Sequence, residues 1–195
     1  MKKRVAVFVS GGGTNLQVLL DAQAAGTLRS GEIALVIASK PGVFALERAA
    51  KAGVPAFAVS RKELGLPGFE AQCIALLEEY RIDYIVLAGF LTILSEAFIR
   101  RFPNKIINVH PALIPAFCGQ GFYGLRVHEA ALERGVKLTG ATVHFVNEVC
   151  DGGPIIAQKA VEVLPSDTPE TLQRRVMEQG EWVLLPQALE QLCAT

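Results

Sequence analysis

The sequence predicts an α/β fold: a doubly wound, mostly parallel sheet with a mixed C-terminal edge. Three observations carry this. Short apolar runs alternate with segments of helical period along the first two thirds of the chain. A glycine-rich turn, Ser10-Gly11-Gly12-Gly13-Thr14-Asn15, joins the first run to the first helix. In the last third, two strand-like runs follow one another with only the turn Asp151-Gly152-Gly153-Pro154 between them.

The elements follow in order. Val5–Val9 is a short buried strand. Residues 15–25 carry apolar side chains at 16, 19, 20 and 24, a helical period. Ile33–Ala38 is a second strand. Residues 44–52 are helical and stop at Gly53. Residues 56–59 form a short third strand, and 69–80 return to helical spacing. Tyr84–Ala88 is continuously apolar, as in a strand covered on both faces. A short helix over 96–101 and a strand over 105–109 complete the repeating rhythm. Residues 125–134 are helical; 141–146 and 155–163 read as strands. Residues 168–192 form one long helical pattern opened by Thr168-Pro169-Glu170, with a kink or break expected at Pro186.

Composition narrows the function classes. Just over half of the 195 residues are hydrophobic, enough for a sizeable core. Nineteen basic residues balance nineteen acidic ones, and no basic block follows Lys2–Arg4, so no nucleic-acid partner is expected. The apolar run after that start is too short for a signal peptide, and none approaches the ~18 residues of a membrane span. A cytoplasmic protein without a membrane partner is expected. Cys73, Cys118, Cys150 and Cys193 show no ligand spacing, so they read as reduced thiols, and no metal is expected. One domain over residues 1–195 is the simplest organisation, with an N-terminal half of about 1–105 and a C-terminal half of about 106–195.

Two segments carry chemistry. In an open α/β sheet, ligands bind outside the carboxyl ends of the strands. There the glycine loop lets backbone approach an anion, and the free N–H groups opening the helix favour a phosphate. Gly13, Thr14 and Asn15 are the candidate contacts. A dinucleotide fingerprint would need glycine at Leu16, and no Gly-Lys-Ser/Thr follows, so a single phosphate monoester fits best. A tight turn with no ligand is the plain alternative.

The second segment is Ile106–Pro115, IINVHPALIP. Side chains alternate along a strand, so Asn108 and His110 share one face, and Pro111 ends the ladder. Thr142 and His144 share a face of their own strand. The Asp-Gly-Gly turn lets Asp151 approach closely, where it would raise the His110 pKa and orient the ring. No Ser, Cys or Thr nucleophile stands beside this set, and Gly-x-Ser-x-Gly is absent. The set suits attack by a substrate's own nucleophile on a carbonyl, with Asn108 and His110 holding the oxyanion and His110 moving a proton. A hydrogen-bonded structural histidine is the alternative.

These stretches, SGGGTNLQ (10–17), LAGFLTILS (87–95), INVHPALIP (107–115) and GATVHFVNEVCDGGPII (140–156), resemble the folate-dependent glycinamide ribonucleotide formyltransferases of purine synthesis. The resemblance implies a Rossmann-like fold and formyl transfer from 10-formyltetrahydrofolate to the amine of phosphoribosylglycinamide. Small-molecule partners follow, in a monomer or homodimer. Asn108, His110 and Asp151 match the catalytic trio, with Asp151 keeping His110 protonated. His144 and Thr142 support them. Gly13, Thr14 and Asn15 match the segment holding the phosphoribosyl group, and Glu181 a ribose contact. Leu91, Thr92, Ile93, Leu94 and Asn108 match the folate site, over which 146–150 would close.

Some positions depart from the pattern. Thr92 stands where many members carry Arg or Lys. The loop 117–124 is longer than the usual Pro-Gly-x-His type. Arg61 and Lys62 are candidates for the folate's glutamate tail. A deformylase relative would carry an additional N-terminal domain, and a methionyl-tRNA formyltransferase a basic C-terminal one; a chain that starts at its first strand and is neutral is expected to be neither.

Overall fold

The computed structural model describes all residues 1–195. The strands are β1 Lys3–Val9, β2 Gly31–Ala38, β3 Ala56–Ala58, β4 Tyr84–Leu87, β5 Ile106–His110, β6 Leu138–Phe145 and β7 Ile155–Glu162. The helices are α1 Thr14–Ala24, α2 Phe44–Lys51, α3 Arg61–Glu79, α4 Glu96–Arg101, α5 Leu125–Arg134, α6 Pro169–Val176 and α7 Trp182–Cys193. The strand order is β3-β2-β1-β4-β5-β6-β7. β1 pairs with β2 and β4, and β2 with β3, all parallel; β6 and β7 are antiparallel. This is the doubly wound, mostly parallel sheet with a mixed C-terminal edge.

The chain divides into two compact units, Met1–Ile107 with Leu189–Thr195, and Asn108–Ala188. In the first, Val5–Val9 and Leu35–Ala38 are wholly buried, as strands covered on both faces must be. Phe8 meets Phe90 edge to face at 5.4 Å, and Phe90 stacks on Phe69 at 6.2 Å. These contacts pin the start of the run after β4. Glu190 of α7 accepts from Arg29 N, Ser30 N and Ser30 Oγ at 2.8–2.9 Å, tying the last helix to the entry of β2.

In the second unit, Ala131, Val161, Leu172 and Val176 form a core against which Phe117 packs. Thr168 and Thr171 cap α6 reciprocally.

Two expectations need correction. The helix expected over 69–80 begins at Arg61, because Gly65, at φ 66°, joins two helical pieces. Pro67 then falls in the first turn of the second piece, where its missing N–H costs nothing. The break expected at Pro186 lies instead at a π-helical turn, Met177–Glu181, and Pro186 sits inside α7. Trp182 N–H reaches Met177 O, five residues back. Pro186 comes on the fifth residue of α7 and removes one bond, that to the carbonyl of Trp182.

Candidate active site

The glycine loop is a backbone device. Gly13 caps α1 in the left-handed region, at φ 72° and ψ 36°. A Cβ there would lie 2.7 Å from Ala45 Cβ, so glycine is required twice over. The loop's carbonyls are spent: Gly11 O accepts from Ala45 N, Gly12 O from Arg48 Nε, and Gly13 O from Gln17 N. The first turn of α1 has no side-chain cap and no acidic residue. Its positive end is therefore uncompensated by side chains. Arg48, which the sequence did not single out, adds a cation beside the loop. Only the packing of α2 against α1 brings it there, where it also donates to Gln17 Oε1 at 2.8 Å.

The polar cluster at the end of β5 is a side-chain device. His110 is 4% exposed. Its Nε2–H donates to Phe117 O at 2.8 Å, since a carbonyl can only accept. Its Nδ1 faces Asp151 Oδ2 at 3.6 Å. The same Oδ2 accepts from Gly119 N at 2.8 Å, while Oδ1 lies 3.6 Å from His144 Nε2. His144 Nδ1–H donates to Phe145 O at 2.8 Å, and its Nε2 accepts from the Asn108 amide at 3.2 Å. One Asn108 N–H is thus committed and the other remains for a ligand.

The turn carrying Asp151 is held by close backbone approach. Asp151 itself has φ 54°, and a Cβ on Gly153 would lie 1.8 Å from Phe145 O. Phe117, also at positive φ, presents its carbonyl to His110 while its ring packs on the core of this unit.

Electrostatics correct one expectation. The His110 pKa lies below 6.5, not above it. Burial lowers it, and this outweighs the opposing Asp151 charge and the Phe117 hydrogen bond; His144 lowers it further. Burial works to raise the Asp151 pKa, but the facing His144 ring, the Gly119 hydrogen bond and the nearby His110 ring bring it below its usual value. The resting pair is therefore a carboxylate facing a neutral imidazole. Cys118 and Cys150 have raised pKa values, from burial first and then the Asp151 charge, so neither supplies a thiolate nucleophile at neutral pH. His128, on α5, is a third buried histidine the sequence did not flag. Burial and the His110 charge depress its pKa to about 4.

A family model described as "Formyl transferase" matches residues 3–189. The chain belongs to the formyl transferase family. It is 39% identical over 180 residues to a chloroplastic phosphoribosylglycinamide formyltransferase of Arabidopsis thaliana, covering 91% of this chain and 61% of that protein. The chain thus spans less than two thirds of that relative's length. A crystal structure of glycinamide ribonucleotide transformylase 1 from Symbiobacterium toebii superposes with a TM-score of 0.92 at 39% identity, covering 99% of this chain and 88% of that one. A formyltetrahydrofolate deformylase from Pseudomonas syringae superposes at 0.89 with 29% identity, covering all of this chain and 62% of that one.

The remaining residues expected of a formyl transferase divide by exposure. Leu91 and Ile93 are about two-thirds exposed, at 65% and 64%, and Leu91 N is fixed by Ser10 Oγ at 3.0 Å. Both suit an apolar ring face. Leu94, next to them, is buried. Thr92 is half-buried. Glu181 is buried at the end of the π-helical turn, and Thr142 is buried on β6. No helix is long and apolar enough to cross a membrane.

Proposed function

We propose that this formyl transferase moves the formyl group of 10-formyltetrahydrofolate onto the amine of phosphoribosylglycinamide, a step of purine synthesis. The observation that carries the reading is the Asn108–His110–Asp151 cluster, its histidine buried and its other two members half-buried, with a neutral imidazole beside a carboxylate and one amide N–H to spare. The relatives named for this reaction support phosphoribosylglycinamide as the acceptor. Family membership and the exposed Leu91 and Ile93 support a reduced folate as donor.

In this mechanism the acceptor amine attacks the formyl carbon. The free Asn108 N–H and His110 Nε2–H, turned from Phe117 O, stabilise the oxyanion. The proton shed by the amine, relayed by water beside Asp151, is taken up at His110 Nδ1. The imidazolium so formed pairs with Asp151. It returns that proton to the folate nitrogen as the carbon–nitrogen bond to the donor breaks. In the same reading Gly13, Thr14 and Asn15 hold the phosphate and Glu181 the ribose.

The likeness to a deformylase favours one rival, in which water is the acceptor. A spectrophotometric assay with 10-formyltetrahydrofolate, run with and without the ribonucleotide, separates the two. Folate deformylation that requires the ribonucleotide is expected. Deformylation without it would replace the amine by water and leave the glycine loop without a role.

A further inference from the structure

The segment leaving β5 is held by two side chains that the reaction does not use directly. Thr142 Oγ donates to Ala112 O at 2.7 Å and accepts from Ile114 N at 3.1 Å. Gln158 Nε2 donates to Ile114 O at 2.9 Å and to Thr142 Oγ at 3.0 Å. A hydroxyl has one hydrogen and two lone pairs, and an amide nitrogen has two hydrogens. Every one of these is used. Thr142 and Gln158 stand directly opposite each other on β6 and β7, so the sheet register itself sets the pair. Thr142 is wholly buried, whereas Gln158 lies on an exposed stretch of β7. Folding alone gives no reason to freeze an exposed amide on Ile114 O, a contact at the surface where water would satisfy the carbonyl at no cost in side-chain freedom.

The position of the clamp supplies a reason. His110 closes the loop His110–Phe117 on Phe117 O, seven positions further along the chain. The clamped groups, Ala112 O, Ile114 N and Ile114 O, lie in the middle of that loop, one rigid proline away from His110.

We propose that Gln158 is a positioning residue for the transfer reaction: with Thr142 it holds the Ala112–Ile114 segment and so aims the His110 ring. This rests on the reading of His110 as the catalytic base. Mispositioning of a catalytic group by about 1 Å costs on the order of a hundredfold in rate.

The test compares Gln158→Ala, Gln158→Glu, Thr142→Ser and Thr142→Val with the wild type, using steady-state kinetics, pH profiles and thermal melts. Gln158→Ala is expected to lower kcat by roughly tenfold to a hundredfold, with KM within about twofold and the melting temperature nearly unchanged. The acid limb of its pH profile moves down, because a looser Phe117 carbonyl no longer supports the His110 proton against burial and His144. Gln158→Glu loses at least as much, since a carboxylate cannot donate. Thr142→Ser, which keeps the hydroxyl, retains most turnover. Adding Gln158→Ala to Thr142→Val gives no further loss; if Thr142→Val fails to fold, Gln158→Ala still decides. Wild-type kcat and pH limb in Gln158→Ala would overturn the proposal. So would a loss matched by a collapse in melting temperature. His110→Ala runs alongside: an active His110→Ala sinks the function reading, whereas an inactive one beside a normal Gln158→Ala sinks only the clamp.

Discussion

In the glycine loop the working groups are backbone; in the cluster around His110 they are side chains, and the two regions obey different rules. The loop's shape follows from a left-handed Gly13 and the packing of Ala45 against it. Its polarity comes from the start of α1 and a nearby Arg48. Any residue able to adopt that backbone would leave its chemistry intact, but almost none can. In the cluster the backbone would tolerate many residues, while the chemistry depends on which nitrogen of each ring holds a proton. The loop is therefore sensitive to volume and the cluster to protonation.

The largest expected effect breaks the cluster. His110→Ala lowers kcat by roughly two to four decades, and Asp151→Asn does the same, with substrate binding largely kept. Kinetics paired with calorimetry reads both quantities, and turnover near wild type in either variant would remove the side-chain rule. Gly13→Val breaks the loop by volume. It should cost about 1–3 kcal/mol of stability from the strained backbone, read in denaturant melts. It should also weaken the phosphorylated substrate far more than the folate. Equal weakening of both would mean the loop holds no phosphate.

The third prediction sharpens the protonation side. In the proposed mechanism His110 acts as a neutral base with its pKa below 6.5, so kcat/KM is lost as pH falls through that lowered value and is flat above it. Asp151→Asn removes the charge that opposes burial, so residual activity loses its acid limb at still lower pH. An acid limb above 6.5 in the wild type would contradict the burial argument. Smallest is Arg48→Ala, which takes away a cation and one hydrogen bond to the loop, at Gly12 O. The ribonucleotide should weaken by roughly twofold to fivefold, with a gap that closes as salt is added.

How much of each region was legible follows from the same contrast. Gly11–Gly13 after an apolar run is a local pattern, and the turn, the helix start and the absence of a dinucleotide fingerprint could all be read from it. Asn108 and His110 were placed on one face by strand alternation alone. Asp151 was marked by its Gly-Gly turn, which the structure explains by the contact of Gly153 with Phe145 O. That Leu91 and Ile93 are exposed while Leu94 is buried was not legible, because exposure along this run is set by tertiary packing and not by spacing. The break in the last helix was misplaced because a proline early in a helix costs a single bond, whereas a π-helical turn carries no residue signature.

By itself, the sequence determined where most of the strands and helices lie, a mostly parallel sheet with a mixed edge, the glycine turn and the placing of Asn108 and His110 on one strand face. All of these depend on local backbone preference and side-chain periodicity, which act over a few residues. Tertiary structure decided the sign of the His110 pKa shift, the choice of Nδ1 as the nitrogen facing Asp151, the approach of Arg48 to the glycine loop and the clamp made by Gln158 and Thr142. Burial and hydrogen-bond direction arise only when distant segments meet, and no pattern along the chain encodes how much water that meeting removes.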